Sequence, residues 1–188
     1  MTTNQGKVAE LRHLAAPLGH TVVQDARGYP EIQADTLEEV ARDGAKLLLA
    51  SGPKAPFLLE DSGLFVSALR GFPGVFSRHA LDTIGVPGLL RLLVDVELES
   101  RGATFQTYLV YVDGAGNVHG FEGSCKGRIA ERAAGRNGFG FDPLFVPDGQ
   151  PGTPQTFAEM APEGKAALSH RAKAVRAFLA HLSKSAKT

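Results

Sequence analysis

The chain predicts an α/β protein, because helix-spaced apolar stripes and strand-like apolar runs follow one another along its 188 residues. Helical spacing stands at residues 7–18, 36–51 and towards the C-terminus at 175–182, and strand-like runs stand at 57–66 and in a hairpin of 103–112 with 118–125. With 43% hydrophobic residues the chain can bury a sizeable core, as one domain or one domain in two lobes. No repeat, low-complexity tract or linker divides it.

The first helix carries Val8, Leu11, Leu14, Ala15 and Leu18, with Asn4 as its cap and Gly19 as its end. The loop Thr2-Thr3-Asn4-Gln5-Gly6-Lys7 offers backbone N–H groups and the positive end of the helix dipole to a phosphate, with Lys7 as a point charge. A strand ordinarily feeds such a loop, and no residues here precede it to form one. Thr21-Val22-Val23 reads as a short strand and residues 29–33 as loop or extended chain. Thr36 and Glu39 make a capping box for a helix through Val40, Ala41, Ala45 and Leu48, which Ser51-Gly52-Pro53 ends. Residues 57–66 read as apolar strand flanks around a turn at Ser62-Gly63. Residues 68–78, rich in Gly and Pro, read as a shaped loop ending in Arg78. Residues 88–95 look helical, with Leu89, Leu90, Leu92 and Leu93 facing a core. The turn Asp113-Gly114-Ala115-Gly116-Asn117 closes the hairpin. Thr156 and Glu159 make a second capping box, and the last helix buries Val175, Phe178, Leu179 and Leu182. Its first turn holds His170 and Arg171, where positive charge opposes the helix dipole and favours a ligand.

Composition excludes several classes. Twenty basic residues balance twenty acidic ones, so no broad positive field exists for a nucleic-acid polymer. The single Cys125 excludes an intramolecular disulfide and a multi-cysteine metal site. The first residues lack the pattern of a signal peptide and the apolar runs are far shorter than a membrane span, so a soluble cytoplasmic protein without membrane attachment is expected.

Two stretches point to chemistry. Glu60 and Asp61 sit inside an apolar run, where strand alternation sends them to opposite faces and a carboxylate taken from water needs a cation or donors. In Asn137-Gly138-Phe139-Gly140-Phe141-Asp142-Pro143 glycines alternate with aromatics. There Phe139 or Phe141 can stack on a nucleobase while Asp142 accepts its N–H, the other reading being a core-facing strand with Asp142 opening a turn.

In order, Thr2-Thr3-Asn4-x-x-Lys7, Pro30-Glu31-Ile32-Gln33, Glu60-Asp61-Ser62-Gly63-Leu64, Gly71-Phe72-Pro73-Gly74, Phe139-Gly140-Phe141-Asp142-Pro143 and Ser169-His170-Arg171 resemble the motifs of the inosine triphosphate pyrophosphatase family. The likeness runs from residue 2 to about residue 182. It implies a single ITPase-like domain over residues 1–188, with a long mixed twisted sheet flanked by helices and two lobes around a central cleft, a fold shared with the Maf-like enzymes. It also implies a homodimer that hydrolyses inosine and xanthosine triphosphates, and their deoxy forms, to the monophosphate and pyrophosphate, cleansing the nucleotide pool.

By that resemblance Asp61 is the base that activates water. Glu31 and Asp61, helped by Glu60, hold Mg²⁺, with Mn²⁺ as the alternative. Thr2, Thr3, Asn4 and Lys7 cradle the triphosphate, with contacts from Ser62, Arg78 and Lys165. Phe139, within the Phe139-Gly140-Phe141 motif, stacks on the base, Asp142 helps to fix it, and His170 and Arg171 donate to its 6-oxo group. Many bacterial members carry a phosphate-binding lysine on the second helix; here Asp43 or Gly44 stands in its place, with Arg42 and Lys46 as candidate substitutes. The alternatives are a Maf-like pyrophosphatase for other modified nucleotides, a non-catalytic nucleotide-binding module lacking the first strand, and an interaction protein.

Overall fold

Thr36 and Glu39 do form the capping box their spacing predicts: each side chain meets the other residue's backbone N–H, and the helix α2 runs Leu37–Ala50. Asn4 likewise caps α1, Gln5–Ala15, by accepting the Lys7 N–H at 3.2 Å. The α-helix stops earlier than residue 18 because Pro17 has no N–H to continue the ladder, and Ala16–Leu18 tighten into a 3-10 turn closed by Gly19 at φ 76°.

The structure is a computed structural model that describes residues 1–52 and 56–185; Pro53, part of the predicted end of α2, lies outside the described residues. After α1 and α2 come β1 (Phe57–Val66), β2 (Pro73–Gly74), α3 (Ser77–Thr83), α4 (Gly85–Arg91), β3 (Gly102–Val112), β4 (Val118–Ile129), β5 (Phe145–Pro147), α5 (Pro162–Leu168) and α6 (His170–Ser185). The five strands make one sheet in the order β2-β1-β3-β4-β5, with β1–β2 and β4–β5 antiparallel. No helix among the described residues is long and apolar enough to cross a membrane.

The chain divides into two units. The first comprises Met1–Asp61, Thr107–Gly123 and Arg171–Thr188. Its core sets the apolar stripe of α6, Val175, Phe178 and Leu179, against Leu109, with Leu11, Leu14, Leu58 and Leu182 packed on it. The second comprises Ser62–Gln106 and Ser124–His170. Its core gathers Leu64, Val66, Leu89, Leu93, Phe105, Ile129, Phe141, Leu144, Phe145 and Phe157.

Several elements differ from the sequence reading, each for a physical reason. Thr21-Val22-Val23 forms no strand: Val23 is 84% exposed, and the Val22 carbonyl is met by the Arg12 side chain rather than by a ladder. Ser62-Gly63 is not a turn, because β1 runs straight through it. Gly63 is there for close approach: a Cβ would collide with the Gly74 carbonyl as β2 pairs Gly74 with Leu64. Gly63→Ala is expected to lose about 1–3 kcal/mol of stability by overpacking, read as a lower midpoint in denaturant unfolding.

Residues 77 and 78, read as the end of a loop, instead open α3, and its Ser77 hydroxyl takes the Leu64 N–H at 2.8 Å while donating to the Gly74 carbonyl at 2.7 Å. Leu92 is 50% exposed and does not face the core as Leu89 and Leu93 do. The Thr156–Glu159 box starts no helix. Glu159 reaches back to the Thr156 N–H, but the Thr156 hydroxyl donates to the Ala134 carbonyl, so only half of the box closes.

Candidate active site

In the first unit the irregular residues 1–4 are held by Thr2, whose N–H donates to the Asp25 carbonyl at 2.9 Å and whose carbonyl accepts from Gln24 at 3.0 Å. These bonds anchor the loop where a preceding strand was expected. The Asn4 N–H meets the Thr2 hydroxyl at 3.1 Å, and Thr3 is exposed. From the first turn of α1 Lys7 reaches β1, where Nζ lies 3.0 Å from the Glu60 carbonyl and 3.8 Å from its Oε1.

Glu60 and Asp61 part company. Arg171 grips Glu60 with Nε 3.0 and 2.8 Å from the two carboxylate oxygens and Nη2 2.9 Å from Oε1, while Thr107 donates to Oε1 at 2.8 Å. Burial alone would raise the Glu60 carboxyl. The charges of Arg171 and Lys7 and the bonds from Arg171 and Thr107 outweigh it and hold the group far below the ordinary carboxylate range. Arg171 also donates through Nη1 to Glu10. Glu60, predicted beside the metal, is thus ion-paired with Arg171 in this structure, and the Arg171 guanidinium, predicted to donate to a 6-oxo group, meets the carboxylates of Glu60 and Glu10.

Glu31 is exposed on the irregular segment before α2. Tyr29, two residues earlier, links it to the strand acids: burial first, then the carboxylates of Glu31, Asp61 and Glu60, push its hydroxyl well above its ordinary range. Among the described residues no three His, Cys, Asp or Glu side chains gather as a metal cage. Mg²⁺ takes one or two carboxylates with water and phosphate oxygens, so two acids suit it.

The candidate substitutes on α2 have these surroundings. Arg42 pairs with Glu38 at 2.6 Å and donates to the Tyr108 hydroxyl at 2.7 Å, and Lys46 is exposed.

In the second unit the Phe139 turn is built by Asp142. Its Oδ2 accepts the Phe139 N–H at 2.7 Å and Lys165 Nζ at 2.6 Å, and Gly138, at φ 74°, leaves room that a Cβ would take from that oxygen. Lys165 Nζ lies 5.1 Å from the Phe139 ring centroid. His170 is buried and stacks on Phe105 at 4.7 Å with 9° between the rings. Phe141 is 3% exposed within the core, whereas Phe139, followed by Gly140 at φ 64°, is half-buried. Ser62 continues β1 as a half-buried residue, whereas Arg78 is turned to an i,i+4 pair with Asp82 at 2.6 Å on the surface.

The sequence profile of the Ham1 family matches residues 1–181. This chain belongs to the Ham1 family. A dITP/XTP pyrophosphatase of Thermococcus kodakarensis is 50% identical over 178 residues, 95% of this chain and 92% of that protein. One of Pyrococcus horikoshii is 44% identical over 179 residues, again 95% and 92%. The solved Ham1 protein of Staphylococcus aureus superposes with a TM-score of 0.75 over 98% of this chain and 96% of that one, at 26% identity. Family and fold agree with the motif resemblance.

Four residues that contact predicted site residues, or act on them electrostatically, carry no sequence signal of doing so. Thr107 bridges Glu60 and the Asp61 carbonyl, Glu10 shares Arg171, Phe105 stacks on His170, and the Tyr29 hydroxyl is raised by burial and then by the charges of Glu31, Asp61 and Glu60. Only Tyr29 stands beside a motif, immediately before Pro30-Glu31.

Proposed function

We propose that this chain hydrolyses dITP and XTP, and ITP with them, to the monophosphate and pyrophosphate with Mg²⁺ or Mn²⁺. The observation that carries this reading is the acid pair on β1, where Arg171 holds the Glu60 carboxylate and Asp61 follows it in the strand. Glu31 and Asp61 would hold that ion, which when bound would supply charge neutralisation for the attacked phosphate.

The residues of this chain do the rest. Asp61 orients the water and takes its proton as the new P–O bond forms and the α–β anhydride bond breaks, pyrophosphate leaving with that electron pair. Lys7 and the N-terminal N–H groups of α1 offer positive charge to the phosphates. Phe139 offers its ring to the base. Lys165 and His170 supply donors to a 6-oxo purine, since the Arg171 guanidinium is held by Glu60 and Glu10. A 6-amino purine would face those donors with its own, at a cost of about 1–3 kcal/mol. A homodimer belongs to the same reading, and sedimentation at the monomer mass would remove it.

A pyrophosphate-release panel tests the activity, with dITP, XTP, ITP, dATP, dGTP, dUTP and a methylated pyrimidine triphosphate, each with and without Mg²⁺. dITP and XTP are expected to lead dATP by about tenfold or more, the factor that one unmatched donor supplies. Preference for the methylated pyrimidine would instead assign the Maf-like activity. Binding of dITP without pyrophosphate release would assign a non-catalytic module.

A further inference from the structure

Glu31 lies in a segment, residues 19–36, that has no helix or strand among its residues beyond the cap of α2. A carboxylate on such a segment cannot be placed to within a fraction of an ångström by its own backbone, so something must fix it. Two residues before it stands Tyr29. Its ring lies against Gly44 in the middle of α2, and a Cβ there would stand 2.8 Å from Cζ and 2.9 Å from Cδ2, with Cε2 closer still. Glycine is among the poorest residues for a helix interior, and α2 is otherwise well made, with its capping box and buried Leu37, Val40, Ala41, Ala45 and Leu48. Gly44 thus gives up helix propensity to make a socket. The ring that fills it stands two residues before Glu31.

We infer that the Tyr29–Gly44 contact is a positioning device for Glu31, which docks the irregular segment on α2 so that its carboxylate shares a divalent ion with Asp61. The inference rests on the reading that Glu31 and Asp61 hold that ion. The ring does the docking, and the hydroxyl is secondary.

Mn²⁺ binding to the full chain, followed by electron paramagnetic resonance without nucleotide, tests it, with thermal melts as the check on folding. Tyr29→Ala and Gly44→Ala are each expected to weaken Mn²⁺ binding about 10- to 100-fold, the usual effect of losing a group that orients a metal ligand. Tyr29→Phe, which keeps the ring, is expected to stay within about threefold, well inside that range. Because Gly44→Ala acts only by displacing the ring, the double variant Tyr29→Ala/Gly44→Ala should bind no more weakly than Tyr29→Ala.

Unchanged Mn²⁺ affinity in folded Tyr29→Ala overturns the inference, and so does full additivity in the double variant. Glu31→Gln separates the two levels. If it weakens Mn²⁺ binding while the Tyr29 and Gly44 variants do not, the positioning role alone is lost. If it has no effect, the ligand assignment falls and the positioning role with it.

Discussion

Asp61→Asn is expected to lower the rate of pyrophosphate release from dITP about 10³-fold, in the middle of the 10²–10⁴ range that a positioned base contributes. Asn has the same shape but neither takes a proton nor brings negative charge to a metal. The fold should survive, because the strand is tied at this point through the backbone: the Asp61 carbonyl accepts the Thr107 hydroxyl at 3.0 Å, and Asn leaves that bond in place. The expected signature is a fall in kcat at saturating Mg²⁺ with a melting temperature close to that of the parent. Release at near-parental rates would take the base assignment away from Asp61. A loss confined to the Mg²⁺ requirement, with kcat restored at high metal, would leave Asp61 as a ligand only.

Local chemistry explains which parts of this fold the sequence discloses. The α2 capping box, the Asn4 cap and the turn at Asp113 each close within a few residues; Asp113 accepts the Ala115 and Asn117 N–H groups, both at 2.9 Å. Features decided by distant chain mislead or stay silent. Gly63 reads as a turn because glycine usually frees the backbone, yet here it admits the Gly74 carbonyl. Thr156 reads as a helix cap until the Ala134 carbonyl competes for its hydroxyl. Val22 and Val23 have strand propensity but meet no ladder.

The site divides in the same way. An acid pair in an apolar run is visible as costly, and the aromatic-glycine stretch is visible as a platform. What each acid does depends on Arg171, 111 residues from Glu60 in the chain, and on Thr107, which looks like any strand threonine. Phe139 and Phe141 are equivalent by spacing, and only the core around Phe141 decides between them.

The second large effect concerns that ion pair. Glu60→Gln is expected to destabilise the protein by about 3–5 kcal/mol, because it leaves the guanidinium of buried Arg171 with Glu10 and Lys7 with no strand carboxylate. For a chain of this size that is a fall of roughly 6–20 °C in melting temperature. The pH dependence has a definite sign. The folded carboxyl of Glu60 is depressed below its unfolded value, so its contribution is fully present above the unfolded pKa and is lost as pH falls from there through the folded pKa. Denaturant unfolding should therefore show a decline in parental stability beginning near pH ~4.3, the ordinary glutamate value, and Glu60→Gln should flatten that slope while lowering stability at pH 7. Replacing both partners, as Glu60→Leu/Arg171→Met, should recover part of the loss, since desolvation of the pair is removed together with its attraction. A Glu60→Gln protein that melts with the parent, or a parent whose acid slope is unchanged by the substitution, would mean that the grip of Arg171 on β1 contributes nothing to holding Asp61 in place.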